Sequence, residues 1–149
     1  MKKIYIIAAI IIIAIIAGIF YINIYEAETE VTKETTKVGV ILNGETDDQS
    51  WSQSHYEGLE QTAKELNLNI LYKECVTLES IESIIDAFVE EGCEIIIANS
   101  FEFGECINQV SSKYPEVYFF HATGVGEGKN LTTYFGRMYQ IRYLSGIVA

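Results

Sequence analysis

From Lys37 onward, short apolar runs alternate with longer stretches whose apolar residues recur at helical spacing. This alternation constrains the fold more than any other feature of the chain. Val38–Leu42 is a buried strand closed by the turn signal Asn43-Gly44, and Asn69–Tyr72, Glu94–Ala98, Val117–His121 and Leu131–Phe135 are further strands. Between the first two lies a helix from Ser50 to Leu66. Trp51, His55, Leu59, Ala63 and Leu66 share one of its faces, and Ser50 stands at its N-cap. Leu78–Glu91 is a second helix, with Ile81, Ile84, Ile85 and Phe88 inward and Gly92 at its end. Phe103–Lys113 is a third, which Pro115 keeps from continuing, and Arg137–Ala149 begins a fourth. Strands alternating with helices build βαβ units, so the expected class is α/β, a doubly wound parallel sheet covered on both faces.

Ahead of this pattern, residues 4–24 hold twelve isoleucines and no charge. About twenty helical residues span roughly 30 Å, the thickness of a bilayer hydrocarbon core. Lys2 and Lys3 precede the run, Tyr21 and Tyr25 sit at its far end, and Glu26, Glu28 and Glu30 follow. These flanks place the amino terminus in the cytoplasm and everything after residue 25 outside. A cleavable signal peptide has a shorter apolar region and a small-x-small site, and Tyr25-Glu26-Ala27 is a poor one. The expected organisation is therefore an uncleaved signal anchor over residues 1–25, single-pass in the plasma membrane. A polar tether over 26–36 and an extracytoplasmic domain over 37–149 follow.

All 21 acidic residues and only eight of the ten basic ones follow the anchor. Such an acidic domain is a poor partner for nucleic acid or an anionic surface. Cys75, Cys93 and Cys106 are odd in number and form no CxxC pair, so small buried cysteines are expected, with neither a disulfide framework nor a zinc site. Asp47-Asp48-Gln49 lacks the spacing of a calcium loop. Asn130-Leu131-Thr132 matches a glycosylation sequon.

Doubly wound sheets bind ligands beyond the carboxyl ends of their strands. Three stretches fall there: Asn43–Ser52, Asn99–Gly104 and His121–Asn130. In the first, helix-start amides suit polar ligand groups and Trp51 offers a stacking face. The spacing alone leaves open a second reading, in which Asp47 and Asp48 cap the helix and Trp51 fills the core. The glycines of 124–128 do not form a phosphate loop, because Thr123 and Asn130 stand where glycine and Ser or Thr are required. A strand, not a helix, follows them, so a flexible turn is expected. His55 and His121 are candidate bases and Ser50 and Ser100 candidate nucleophiles, yet no G-x-S-x-G elbow is present. His55 shares the face of Trp51 and Leu59 and reads as a packed core histidine.

Asp48–Gly58 (DQSWSQSHYEG) resembles the first ligand loop of the basic membrane protein family, the type I solute-binding lipoproteins of ABC importers that include purine-nucleoside receptors. Ala98–Phe103 is similar to the segment after that family's third strand, and His121–Gly124 with Thr133–Gly146 to its most distinctive stretch. The similarity keeps its order from about Lys37 to Ala149. It implies the first lobe of a type I periplasmic-binding fold, with the second lobe absent. It also implies non-catalytic binding of a purine nucleoside or similar small polar ligand, no cofactor, and delivery to an ABC permease and ATPase. Asp48 would hydrogen-bond the ligand, Trp51 would stack on its base, and Ser100 and Phe101 would line the cleft. Ser50, Ser52 and His121 complete the candidate set.

Three departures from the family pattern stand out. Ser52 replaces the usual asparagine. Ile19 replaces the lipid-bearing cysteine of a lipobox-like Ile16–Ile19, which leaves anchoring to the isoleucine helix. The chain also has about half the expected length, as a fragment, a shortened frame or a one-lobe relic would. The alternative function is a membrane-anchored regulatory or sensor domain of the same fold without a transport role. A hydrolase using His121 or Asp48 stands third.

Overall fold

The structure is a computed structural model that describes residues 14–21 and 35–148. The chain divides into two units, residues 1–34 and 35–149. In the first, residues 14–21 are helical. The rest of the isoleucine run, and the tether up to residue 34, lie outside the described residues. Among the described residues no helix is long and apolar enough to cross a membrane.

The second unit is an α/β lobe. Its strands are β1 (Lys37–Ile41), β2 (Asn69–Lys73), β3 (Ile95–Ala98), β4 (Tyr118–Ala122) and β5 (Leu131–Tyr134). They form one sheet in the order β2-β1-β3-β4-β5, every neighbour pair parallel. The helices are α1 (Trp51–Leu66), α2 (Ile81–Glu90), α3 (Gly104–Lys113) and α4 (Met138–Val148), with a short 3-10 turn at Phe101–Phe103 ahead of α3. The strand order reverses direction between β1 and β3, the switch point at which such sheets open a crevice.

Period-two alternation sorts the strand residues onto two faces. Ile41, Ile96, Ala98 and Phe119 pack against Ile81, Ile85 and Phe88 of α2, Ile107 and Val110 of α3, and Phe103 between them. Gly39 belongs to this face, where a Cβ would stand 2.5 Å from Phe88 Cδ2. On the opposite face Val38, Val40 and Leu42 carry Tyr56 and Leu59 of α1. The inward stripe of α1 is thus Ser52, Tyr56 and Leu59: Leu59 holds its expected place, Ser52 and Tyr56 take the places of Trp51 and His55, and Leu66 is exposed. The shift arises because the first turn of α1 stands beyond the strand ends, so Trp51 and His55 sit over the sheet edge and not in the core.

One expectation about the layers requires correction. The sheet is covered on one face, but on the other α1 covers only β2, β1 and β3, leaving Tyr118 and Phe120 of β4 exposed. No helix joins β4 to β5. Residues 123–130 make that parallel crossover as a loop, and the loop is packed instead of being a free turn. A Cβ on Gly124 would overlap the His121 ring, and one on Gly126 would overlap the Asn108 side chain on α3. The glycines are needed for this close approach. At the far end Asn130 Nδ2 reaches the carbonyls of Ser111 and Tyr114, both 2.9 Å away, and of Val117 at 2.8 Å. The loop therefore runs down the flank of α3 and is riveted at both ends. The sequon nitrogen is the atom that makes these bonds.

The cysteines also depart in part from expectation. Cys93 is buried and Cys106 half-buried, but Cys75 is exposed in a loop. Burial pushes the Cys93 thiol up to about 11, with Glu91 adding to the effect.

A polar tie joins α2 to the end of α3. Asp86 accepts from the Tyr114 hydroxyl at 2.7 Å and from Lys113 Nζ at 3.0 Å. The Tyr114 hydrogen bond, then that of Lys113, holds the Asp86 carboxyl below its ordinary 3.8 against the opposing effect of burial. A carboxyl depressed by folding stabilises the fold above its unfolded pKa and loses that contribution as pH falls through the folded value. Asp86→Asn should therefore flatten the acid limb of stability below about pH 4. Urea midpoints of the wild type and variant at pH 3 and pH 7 check this: the gap between the two proteins should be smaller at pH 3.

Candidate functional site

At the carboxyl edge of the sheet, a hydrogen-bonded clasp joins β1, β3 and α1. Asn99, just past β3 and fully buried, accepts from the Asn43 amide through Oδ1 (3.0 Å) and donates to Ser52 Oγ through Nδ2 (3.2 Å). Ser52 Oγ also accepts from the Gly44 amide (3.0 Å) and donates to Asn43 Oδ1 (3.2 Å). A hydroxyl has one donor and two acceptor sites, so Ser52 is saturated inside the protein.

Asp48 is committed in a similar way. Its Oδ1 accepts from the amides of Ser50 (2.7 Å) and Gln53 (3.1 Å), and Oδ2 from that of Ser52 (3.0 Å). Desolvation works to raise its pKa, but the backbone amides of Gln53, Ser52 and Ser50 bring it below the ordinary 3.8. Asp48 thus caps α1, whereas Ser50 occupies the N-cap position without a side-chain bond of its own. Both lie outside the lining of the cleft described next.

That cleft has a volume of about 830 Å³, within the range of small-molecule sites. Trp51 forms one wall. Its indole Nε1–H donates to the Asn99 carbonyl at 2.6 Å. Behind it the His55 ring sits 4.4 Å away, centroid to centroid, and His55 Nδ1 lies 2.9 Å from the Trp51 carbonyl. His55 is therefore a half-buried support for the indole and not a core residue. Phe101, Phe135 and Tyr139 supply further aromatic walls, and Ser100, Arg137 and Arg142 contribute polar groups. Among the described residues, no three His, Cys, Asp or Glu side chains gather as they would around a metal.

His121 lies behind this wall. It is fully buried at the end of β4, and its Nε2 stands 2.7 Å from the Ser100 carbonyl. A carbonyl can only accept, so Nε2 carries the proton. Nδ1, tucked beneath Gly124, has no hydrogen-bond partner among the described residues. His121 acts on the cleft by fixing the Ser100 carbonyl, next to Phe101.

Of the residues singled out from sequence, Trp51, Ser100 and Phe101 come together at the cleft. Ser52 and His121 sit one layer behind it, and Asp48 and Ser50 sit at the helix start. The residues that sequence reasoning passed over, Phe135, Arg137, Tyr139 and Arg142, follow β5. The rule that marks the carboxyl ends of β1, β3 and β4 marks the end of β5 equally well.

Comparison with known proteins bears on this arrangement. Residues 35–149 match the Bmp family model, described as ABC transporter substrate-binding protein PnrA-like. A purine-binding protein of Brucella abortus is 29% identical over 144 residues, which cover 93% of this chain and 39% of that protein. A transcriptional activator protein of Bacillus subtilis is 29% identical over 98 residues, covering 65% of this chain and 31% of the relative. Among solved structures, a solute-binding protein of an ABC transporter system from Aeropyrum pernix K1 superposes with a TM-score of 0.68. At 24% identity, it covers 76% of this chain and 32% of its own, and this likeness concerns the fold alone. The chain spans between 24% and 39% of the length of these curated relatives and others it matches. Sheet order, the crevice at the strand ends and the family match over residues 35–149 agree: this chain belongs to the Bmp family of PnrA-like ABC transporter substrate-binding proteins.

Proposed function

We propose that the lobe forms one half of the ligand cleft of an ABC-importer solute-binding protein, and that its ligand is a purine nucleoside or a similarly flat, polar small molecule. The observation that carries this is Trp51. An indole pinned through Nε1 to the Asn99 carbonyl and supported by His55 is a preorganised stacking surface, and it lines the cleft with Phe101 and Phe135. A purine has a π face to stack and an edge rich in donors and acceptors. The name of the Brucella relative supports the same ligand class. On this reading the lobe binds without covalent chemistry. The isoleucine run anchors it at the outer face of the membrane, where an ABC permease and ATPase receive the ligand. An ATPase and permeases encoded beside the gene would separate transport from the regulatory alternative.

Trp51 is the sole tryptophan, so its emission reports on the site directly. In titrations of the full chain in mild detergent, adenosine should change the emission saturably, and a hexose, which has no π face, should not. A cleft open on one side buries less of its ligand than an enclosed pocket, so the expected Kd is on the order of 0.1–1 mM. An emission unmoved by adenosine well past that range would remove the reading.

A further inference from the structure

The cleft wall contributed by the segment after β5 differs in charge from the rest of the protein. Acids outnumber bases 21 to 10 over the chain, yet the only charged residues that line the cleft are Arg137 and Arg142. No carboxylate is among the lining residues; Glu102 stands just outside them, accepting from Ser100 Oγ at 3.3 Å. Among the described residues the ion pairs involve Lys64 and Lys113, and neither arginine side chain has a hydrogen-bond or ion-pair partner. Lys113 bridges to Asp86, Lys64 to Glu60, and Lys37 Nζ donates to the Glu91 carbonyl. Lys73 and Lys129 share with the arginines the lack of a side-chain partner among the described residues, but neither lines the cleft. α4 also starts at this wall with no acidic residue in its first turn, so the positive end of its dipole has the same sign as the arginines. The protein's distant negative charge is screened beyond about 8 Å at physiological salt, so the two guanidiniums set the sign of the potential on the α4 side of the cleft.

We infer that the cleft recognises an oxyanion carried by its ring-bearing ligand, most simply the phosphate of a nucleoside monophosphate, through Arg137 and Arg142. Guanidinium groups suit this task because their planar fork donates two parallel hydrogen bonds to one phosphate or carboxylate. The aromatic side, Trp51 and Phe101, takes the ring, and the α4 side takes the anion. This inference rests on the proposed ring-binding role of the cleft and adds the charge of the ligand to it.

The test compares three probes on the full chain through Trp51 emission: adenosine, adenosine 5′-monophosphate and inorganic phosphate. At low salt the monophosphate should bind about tenfold or more tightly than adenosine. That advantage should shrink as salt rises. In the double variant Arg137→Gln/Arg142→Gln the ratio of the two affinities should collapse toward one. Both side chains are exposed, and an unchanged urea midpoint for the variant would confirm that it folds. Adenosine binding as tightly as its monophosphate would overturn the anion inference and leave the ring site standing. Inorganic phosphate binding as tightly as the monophosphate would overturn the claim that the ring and the anion belong to one ligand. If no probe changes the emission, both the ring site and the inference built on it fall.

Discussion

Replacing Asn130 by alanine should lower the unfolding free energy by roughly 2–4 kcal/mol, more than most single substitutions cost. Its side-chain nitrogen stands within 2.9 Å of three carbonyls, those of Ser111, Tyr114 and Val117. Two of these belong to the last turn of α3 and the residue after it, where carbonyls lack helical partners. The main-chain oxygen of Asn130 meanwhile accepts from the Phe119 amide at 2.7 Å, so the residue also aligns β5 against β4. Alanine would remove the donor from all three carbonyls, of which Tyr114 alone keeps a second one, the Val117 amide at 3.1 Å. Asn130→Asp conserves size but turns oxygens toward the three carbonyls, and it should be at least as damaging. Urea unfolding of the full chain followed by Trp51 emission measures both variants. If aspartate were tolerated as well as asparagine, the hydrogen-bond account of this residue would fail and only its shape would matter.

Trp51→Ala should weaken purine-nucleoside binding by roughly 1–3 kcal/mol, the scale of base–aromatic stacking. The indole makes no large contribution to the core, since α1 packs through Ser52, Tyr56 and Leu59. The variant should therefore fold, having lost the Nε1 bond to Asn99 and the His55 contact. Trp51→Phe separates the two parts of the effect: it keeps a stacking face but cannot donate to the Asn99 carbonyl. Phenylalanine should recover part of the affinity. Calorimetric titration with adenosine gives both numbers, and equal affinities for the wild type and the alanine variant would place the ligand elsewhere.

Alternating apolar runs made the sheet legible before any coordinates, because period two in a strand and period 3.6 in a helix follow from backbone geometry alone. Each strand and helix of the lobe lies within two or three residues of its expected place. The misses share a cause: each depends on a neighbour distant in sequence. The start of the α1 stripe moves from Trp51 and His55 to Ser52 and Tyr56 because the first turn overhangs the sheet edge, which no local pattern encodes. The glycines of 124–128 look like a loose turn until Asn108 and the His121 ring are seen against them.

The same limit applies to the site. Trp51, Ser100 and Phe101 could be named because the loops after β1 and β3 are predictable ligand positions. Ser52 and Asp48 are polar residues in the right loop, but Ser52 is spent on Asn43, Gly44 and Asn99, and Asp48 on the start of α1. Sequence shows that a group can bond but not which bonds are already taken. Arg137 and Arg142 were visible as cations near the end of the fifth strand, and only the cleft shows that they line it without a carboxylate beside them.

The central claim is that the pinned indole of Trp51 is the ring-binding surface of this lobe. With a single tryptophan in the chain, one indole N–H resonance reports on that claim alone. On titration with adenosine, this resonance and the Trp51 ring protons should shift progressively and saturate, the ring protons moving upfield as a base stacks on them. The N–H should stay protected from solvent exchange by its bond to the Asn99 carbonyl. Signals from Trp51 that hold still while other residues respond to adenosine would contradict the account and assign the ligand to another surface.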